Sequence, residues 1–125
     1  MKVYLSIAHR GEYAQHNRQS AARLCAMLTL ENEGWEVVNP FAIIDRYKQR
    51  QMEVCGRIVD VDPEGLKERC LSVLRECDIM LVSDEKERSE IYEDEKAEAM
   101  RIGMRIMELS ELRQTLPYPA VGVDR

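Results

Sequence analysis

A chain of 125 residues, 45% apolar and 33% charged, has material for one hydrophobic core and one domain. A net charge of −5 argues against binding a nucleic-acid polymer, because neutralising phosphates requires a basic surface. No apolar run approaches the roughly 20 residues of a membrane span. Strand-like sequence begins by residue 3 with no signal-peptide pattern, so no membrane association is expected and the expected location is the cytoplasm.

Lys2 to Ile7 is rich in β-formers and reads as a first, central strand. Ala8-His9-Arg10-Gly11 ends it with a flexible glycine and potentially cationic side chains. In a parallel sheet this first βα turn favours anions, and Arg10 is placed to offer a fork of donors to a phosphate or carboxylate. Tyr13 to Glu33 has a helical period, with Ala14, Asn17, Ala21, Leu24, Cys25 and Leu28 on one side and Gly34 as the stop. Trp35 to Asn39 reads as a short second strand closed by Pro40. A right-handed crossover places it beside the first.

Residues 42–52 fit a helix with Ile43, Ile44, Tyr47 and Met52 inward, and residues 41–62 together suit either a lid over the ligand end of the sheet or a plain surface excursion. Asp62 is an N-cap candidate, with Pro63 as the first residue of a helix reaching Glu76. That helix turns Leu66, Cys70, Val73, Leu74 and Cys77 inward. Asp78 to Val82 is the third strand and Arg105 to Leu109 the fourth. The tail, residues 113–125, carries Pro117 and Pro119, which exclude a central strand.

Cys25, Cys55, Cys70 and Cys77 have neither C-x-x-C nor zinc-ribbon spacing, so reduced core thiols are expected. His9 and His16, the only histidines, do not suggest a metal cluster.

Between the third and fourth strands, residues 89–103 read as the crossing and helix of a βαβ unit. Ligands of such units gather at the carboxyl ends of the strands. Ile91, Tyr92, Glu95, Ala99 and Ile102 share one face, so Glu95 falls within an apolar stripe. A carboxylate there is costly to desolvate without a partner or a task; alternatively it lies at the stripe's edge and reaches water.

Over residues 2–107 these pieces resemble the nucleoside 2-deoxyribosyltransferase-like superfamily, in particular its small members known only as domains of unknown function. Val3-Tyr4-Leu5-Ser6 with Arg10-Gly11 is similar to the first-strand motif of deoxynucleoside 5′-monophosphate N-hydrolases. Asn17-Arg18, Val37-Val38-Asn39-Pro40 and the junction from Leu74 to Asp78 resemble the small branch. Ser89, Glu95, Ala99 and Gly103 reproduce the spacing Ser-x5-Glu-x3-Ala-x3-Gly, in which the family's glutamate is the catalytic nucleophile. The resemblance implies a Rossmann/flavodoxin-like three-layer α/β sandwich with a mostly parallel sheet of four or five strands. It further implies Glu95 as nucleophile, Tyr4, Ser6, Arg10, Gly11, Cys70 and Ser89 around the substrate, and Ala99 and Gly103 holding the helix close to the sheet. The implied ligand is a nucleoside or nucleotide, no cofactor is needed, and the assembly is a homodimer or higher homo-oligomer, for which Tyr118, Val121, Met100, Met104 and Met107 offer apolar contacts.

The chain departs from the family pattern where Cys70 replaces an aspartate that contacts the sugar, where Ile91 replaces a glycine, and where Ile7 and Ala8 replace an inner glycine. Two classes of function therefore stand side by side: an N-glycosidase or deoxyribosyltransferase, and a catalytically degenerate nucleotide-binding or protein-interaction domain. A glutamate-dependent NAD-cleaving domain would need a larger site, which no sequence feature demands.

Overall fold

The computed structural model describes residues 1–9, 13–56, 63–83 and 90–115. Four strands, β1 (Lys2–Ser6), β2 (Glu36–Val38), β3 (Ile79–Val82) and β4 (Arg105–Glu108), form one sheet in the order β2-β1-β3-β4. All three pairings are parallel; Tyr4 lies opposite Val38 on one side and Met80 on the other, and Met80 opposite Ile106. Such an order needs a helical crossover between successive strands. These are α1 (Ala14–Glu31), then α2 (Pro40–Cys55) and α3 (Pro63–Arg75), then α4 (Glu90–Arg101); α5 (Leu109–Thr115) follows β4. The result is the expected Rossmann/flavodoxin-like α/β sandwich, with four strands and no antiparallel member among the described residues.

The period-2 alternation of β1 divides the core. Val3, Leu5 and Ile7 join Ile79, Leu81 and Met107 against Ala21 and Leu28 of α1 and Leu109 and Leu112 of α5. Tyr4 joins Met80 and Val82 against Cys70, Leu71 and Leu74 of α3 and Ala99 of α4. The first part of α2 serves both layers, Phe41 and Ile44 on one side and Ile43 on the other. Leu74 is fully buried between α3 and the sheet. Leu74→Ala is expected to cost about 2–5 kcal/mol of stability in urea unfolding, through lost burial and the cavity left behind.

Several boundaries differ from expectation for local reasons. Asn39 ends β2 early because its side chain accepts the Phe41 N–H at 2.9 Å and caps α2, with Pro40 at the first turn. Met52 is 48% exposed, because the inward stripe of α2 is confined to its first half. Ile102 is exposed because α4 ends at Arg101 and the chain turns at Gly103, where φ is +75°. Leu109 starts a helix rather than ending a strand: Glu111 accepts the Glu108 N–H at 2.8 Å, while Leu109 and Leu112 pack inward one turn apart. Of the three methionines read as contact residues, Met107 is buried, Met104 packs on the core and Met100 is exposed. Residues 41–55 of the segment read as a lid belong to α2. Asp62, Tyr118 and Val121 lie outside the described residues.

Among the described residues no helix is long and apolar enough to cross a membrane.

Candidate active site

The strand order reverses between β1 and β3, the position at which parallel α/β sheets open a crevice beyond the carboxyl ends of the strands. Ser6 and Val82 are paired there, and the Ser83 N–H donates to the Ser6 carbonyl at 3.0 Å, extending the ladder one residue further. Tyr4 and Ser6, two residues apart, face the same layer, and α4 crosses that layer after leaving β3.

Glu95 projects from α4 onto this pair. It is 3% exposed. Its Oε2 accepts the Tyr4 hydroxyl at 2.6 Å and its Oε1 accepts the Ser6 hydroxyl at 2.7 Å. Each carboxylate oxygen thus takes one short hydrogen bond and keeps acceptor capacity for another group. Burial pushes the Glu95 carboxyl up to about 7 from an ordinary 4.5, with Asp94 adding to the rise, while the two hydroxyl donors oppose it. Glu95 therefore occupies the interior of the stripe and has partners; the edge reading does not hold.

The position of α4 follows from its sequence. Ile91 and Ala99, one turn on either side of Glu95, are both buried, and the small side chain of Ala99 lets the helix lie close to the sheet. Gly103 does not contribute in this way: a Cβ built there meets nothing within 4 Å, and the glycine serves its left-handed backbone conformation instead. Charged pairs fix α4 against α3. Lys67 meets Asp94 at 3.5 Å, and Arg75 bridges Glu68 at 3.0 Å and Glu98 at 2.7 Å. Arg101 and Arg75 together hold the Glu98 carboxyl down at about 2. Exposed pairs of this kind contribute little each, so their main effect is to set the lie of the helix.

Cys70 is fully buried on α3 and lies in the same core cluster as Tyr4. Burial raises the Tyr4 hydroxyl well above its ordinary value, and the Glu95 and Cys70 groups reinforce this, so Tyr4 is a neutral donor. Tyr4 is itself 0% exposed and acts through Glu95. Tyr4→Phe is expected to push the Glu95 carboxyl above about 7, since a donor to its charged form is lost. The same substitution costs about 1–3 kcal/mol in unfolding at pH 8.

Of the other residues singled out by sequence, Ile7 faces the opposite layer, and the Ala8 carbonyl accepts the Asn17 amide at 2.9 Å. Asn17, a polar residue in an apolar stripe, thereby ties the first turn of α1 to the end of β1. Arg18 makes a two-pronged pair with Asp45 at 2.9 and 3.0 Å and lies 4.9 Å over the Phe41 ring, joining α1 to α2. His9 is buried edge-on to Phe41 at 6.2 Å. Arg10, Gly11 and Ser89 lie outside the described residues. Ser83, buried beside Ser6, was not singled out by sequence; its only signal is a polar residue ending an apolar strand run. No group of three or more His, Cys, Asp or Glu suited to a metal ion occurs among the described residues.

Fold and site define a parallel α/β domain with a buried, hydroxyl-held carboxylate where its strand order reverses. Comparison with protein-family models, curated proteins and solved structures gives no match to this chain.

Proposed function

We propose that this chain is an N-glycosidase or deoxyribosyltransferase acting on a nucleoside or nucleoside 5′-monophosphate, with Glu95 as nucleophile. The observation that carries this reading is Glu95 itself, buried at the strand reversal with Tyr4 and Ser6 donating to its two oxygens. The spacing Ser89, Glu95, Ala99 and the first-strand run Tyr4 to Ser6, both resembling nucleoside 2-deoxyribosyltransferase-like proteins, supply the substrate class.

In the proposed reaction an oxygen of ionised Glu95 attacks C1′ of the sugar. The C1′–N bond breaks, its electron pair leaves with the base, and the base takes up a proton. The glycosyl ester on Glu95 is then opened by water, or by a second base in a transfer reaction, and the carboxylate is restored. Positive charge that develops on the sugar is stabilised by the same carboxylate. Ser6 and Tyr4 hold the two oxygens in place, and Arg10, Gly11 and Ser89 are the proposed contacts of the sugar and phosphate.

A second reading has its own observation. Cys70 and Ile91 occupy positions where the resembled family carries an aspartate and a glycine, and both are buried. This favours a binding domain of the same fold that has lost turnover. The two readings separate when the protein is incubated with a panel of nucleosides and 5′-monophosphates and free base is followed by chromatography. Base release supports the glycosidase, whereas stabilisation by a panel member in thermal shift without base release supports the binding domain. A homo-oligomer is proposed with the first reading, and sedimentation measures it.

A further inference from the structure

Ser6 and Tyr4 each donate one hydrogen bond to Glu95, at 2.7 Å to Oε1 and at 2.6 Å to Oε2, but they do so from different depths. Ser6 is the last residue of β1, level with Val82 at the carboxyl edge of the sheet. Tyr4 lies two residues, roughly 7 Å of strand, further from that edge. Its side chain has 0% exposure and is enclosed with Cys70, Leu71, Leu74 and Ala99 between the sheet and helices α3 and α4, whereas Ser6 and Glu95 each retain 3%. The crevice of a parallel α/β sheet opens beyond the carboxyl edge. Oε1, held by Ser6, is therefore the oxygen on the crevice side, and Oε2 is turned into the core.

We propose that Oε1 is the attacking oxygen and that Ser6 is a second catalytic residue, donating to Oε1 as it approaches C1′ and again as it leaves. The assignment rests on the glycosidase reading above. In the first step the Oε1–C1′ bond forms, the C1′–N bond breaks with its electron pair on the base, and the base takes up a proton. In the second, water attacks C1′ and the C1′–Oε1 bond breaks with its pair returning to Oε1. The water gives up a proton, matching the one that the base took up.

The two hydroxyls fare differently over this cycle. Oε2 becomes the carbonyl oxygen of the ester and is still a good acceptor, so Tyr4 keeps its partner throughout and is a positioning residue. Oε1 becomes the single-bonded oxygen, a poor acceptor, and regains its charge only as the ester opens. A hydrogen bond to a charged group is worth more than one to a neutral group. The Ser6 hydroxyl therefore favours the free carboxylate over the ester, and it assists opening of the ester more than its formation.

The test uses the full chain in excess over the reactive member of the nucleoside and 5′-monophosphate panel, at pH 9, above the value of about 7 that burial gives Glu95. Base release then measures formation of the ester, and the intact mass of acid-quenched protein follows its opening. Ser6→Ala is expected to slow opening relative to formation by about 10-fold, so that the ester accumulates. Tyr4→Phe is expected to leave that ratio within about twofold of wild type, whatever it does to the two rates together. Accumulation in Tyr4→Phe instead makes Oε2 the attacking oxygen and overturns the proposal, as does a ratio in Ser6→Ala equal to that of wild type. If circular dichroism shows Ser6→Ala unfolded, Ser6→Cys, whose thiol is a weaker donor, takes its place and is read in the same way. Either contrary result, obtained with base release by the wild type, leaves the glycosidase reading standing. Absence of base release by the wild type refutes that reading and this assignment with it.

Discussion

Glu95→Ala is expected to lower base release from the reactive member of the nucleoside and nucleotide panel by at least about 10³-fold, with the protein still folded. The size follows from the role. Without the carboxylate no glycosyl ester forms, and the positive charge on the sugar loses its nearest negative partner. Hydroxyls of Tyr4 and Ser6 remain but cannot replace it, being weak nucleophiles at ordinary pH. In the proposed reaction only ionised Glu95 attacks. Since burial holds its carboxyl at about 7, kcat/KM is expected to rise with pH through that value and level off above it. A profile with its rising limb near the ordinary carboxyl value of 4.5 would instead mean that Glu95 is not the titrating nucleophile.

Glu95→Gln, which is expected to abolish the same activity, should stabilise the fold at pH 8 by about 3 kcal/mol and change it little at pH 4. In the unfolded chain Glu95 loses its proton near 4.5, and in the folded chain near 7. Below 4.5 both states are protonated and the group is neutral toward folding. As pH rises from about 4.5 to about 7 the folded state binds more protons, so stability falls across this window and stays lowered above it. Each pH unit of that gap is worth about 1.4 kcal/mol. The glutamine keeps the shape and hydrogen-bonding capacity of the neutral side chain without the cost of a buried charge. Urea unfolding of both proteins at pH 4 and pH 8 measures it. A glutamine variant less stable than wild type at pH 8 would contradict this account of Glu95.

The architecture was legible because its signals are local and periodic. Alternation in β1, the inward stripes of α1 and α3, and the continuous apolar run of β3 each specify an element that the sheet then assembles. Errors fell where one residue decides between two states. Asn39 caps a helix instead of prolonging a strand, and Glu111 turns the end of β4 into α5. Glu95 stood out in sequence as a charge within an apolar stripe, but its partners did not: Tyr4 and Ser6 lie some 90 residues away, and only the pairing of β1 with β3 brings them under α4. Cys70 was legible as an inward-facing core thiol, while its place in the cluster around Tyr4 was not, since that depends on how α3 packs on β1. Gly103 shows the opposite case, a residue that matches a spacing for a reason unrelated to close approach.

The central claim is that Glu95 forms a covalent bond to the sugar. It is tested most directly by acid-quenching the intact protein during incubation with the nucleoside and 5′-monophosphate panel and measuring its mass, followed by peptide mapping. The account predicts a mass increase equal to one pentosyl or phosphopentosyl group, mapped to Glu95 and absent from Glu95→Ala. Base release without any such adduct on Glu95, or an adduct on another residue that persists in Glu95→Ala, would contradict it.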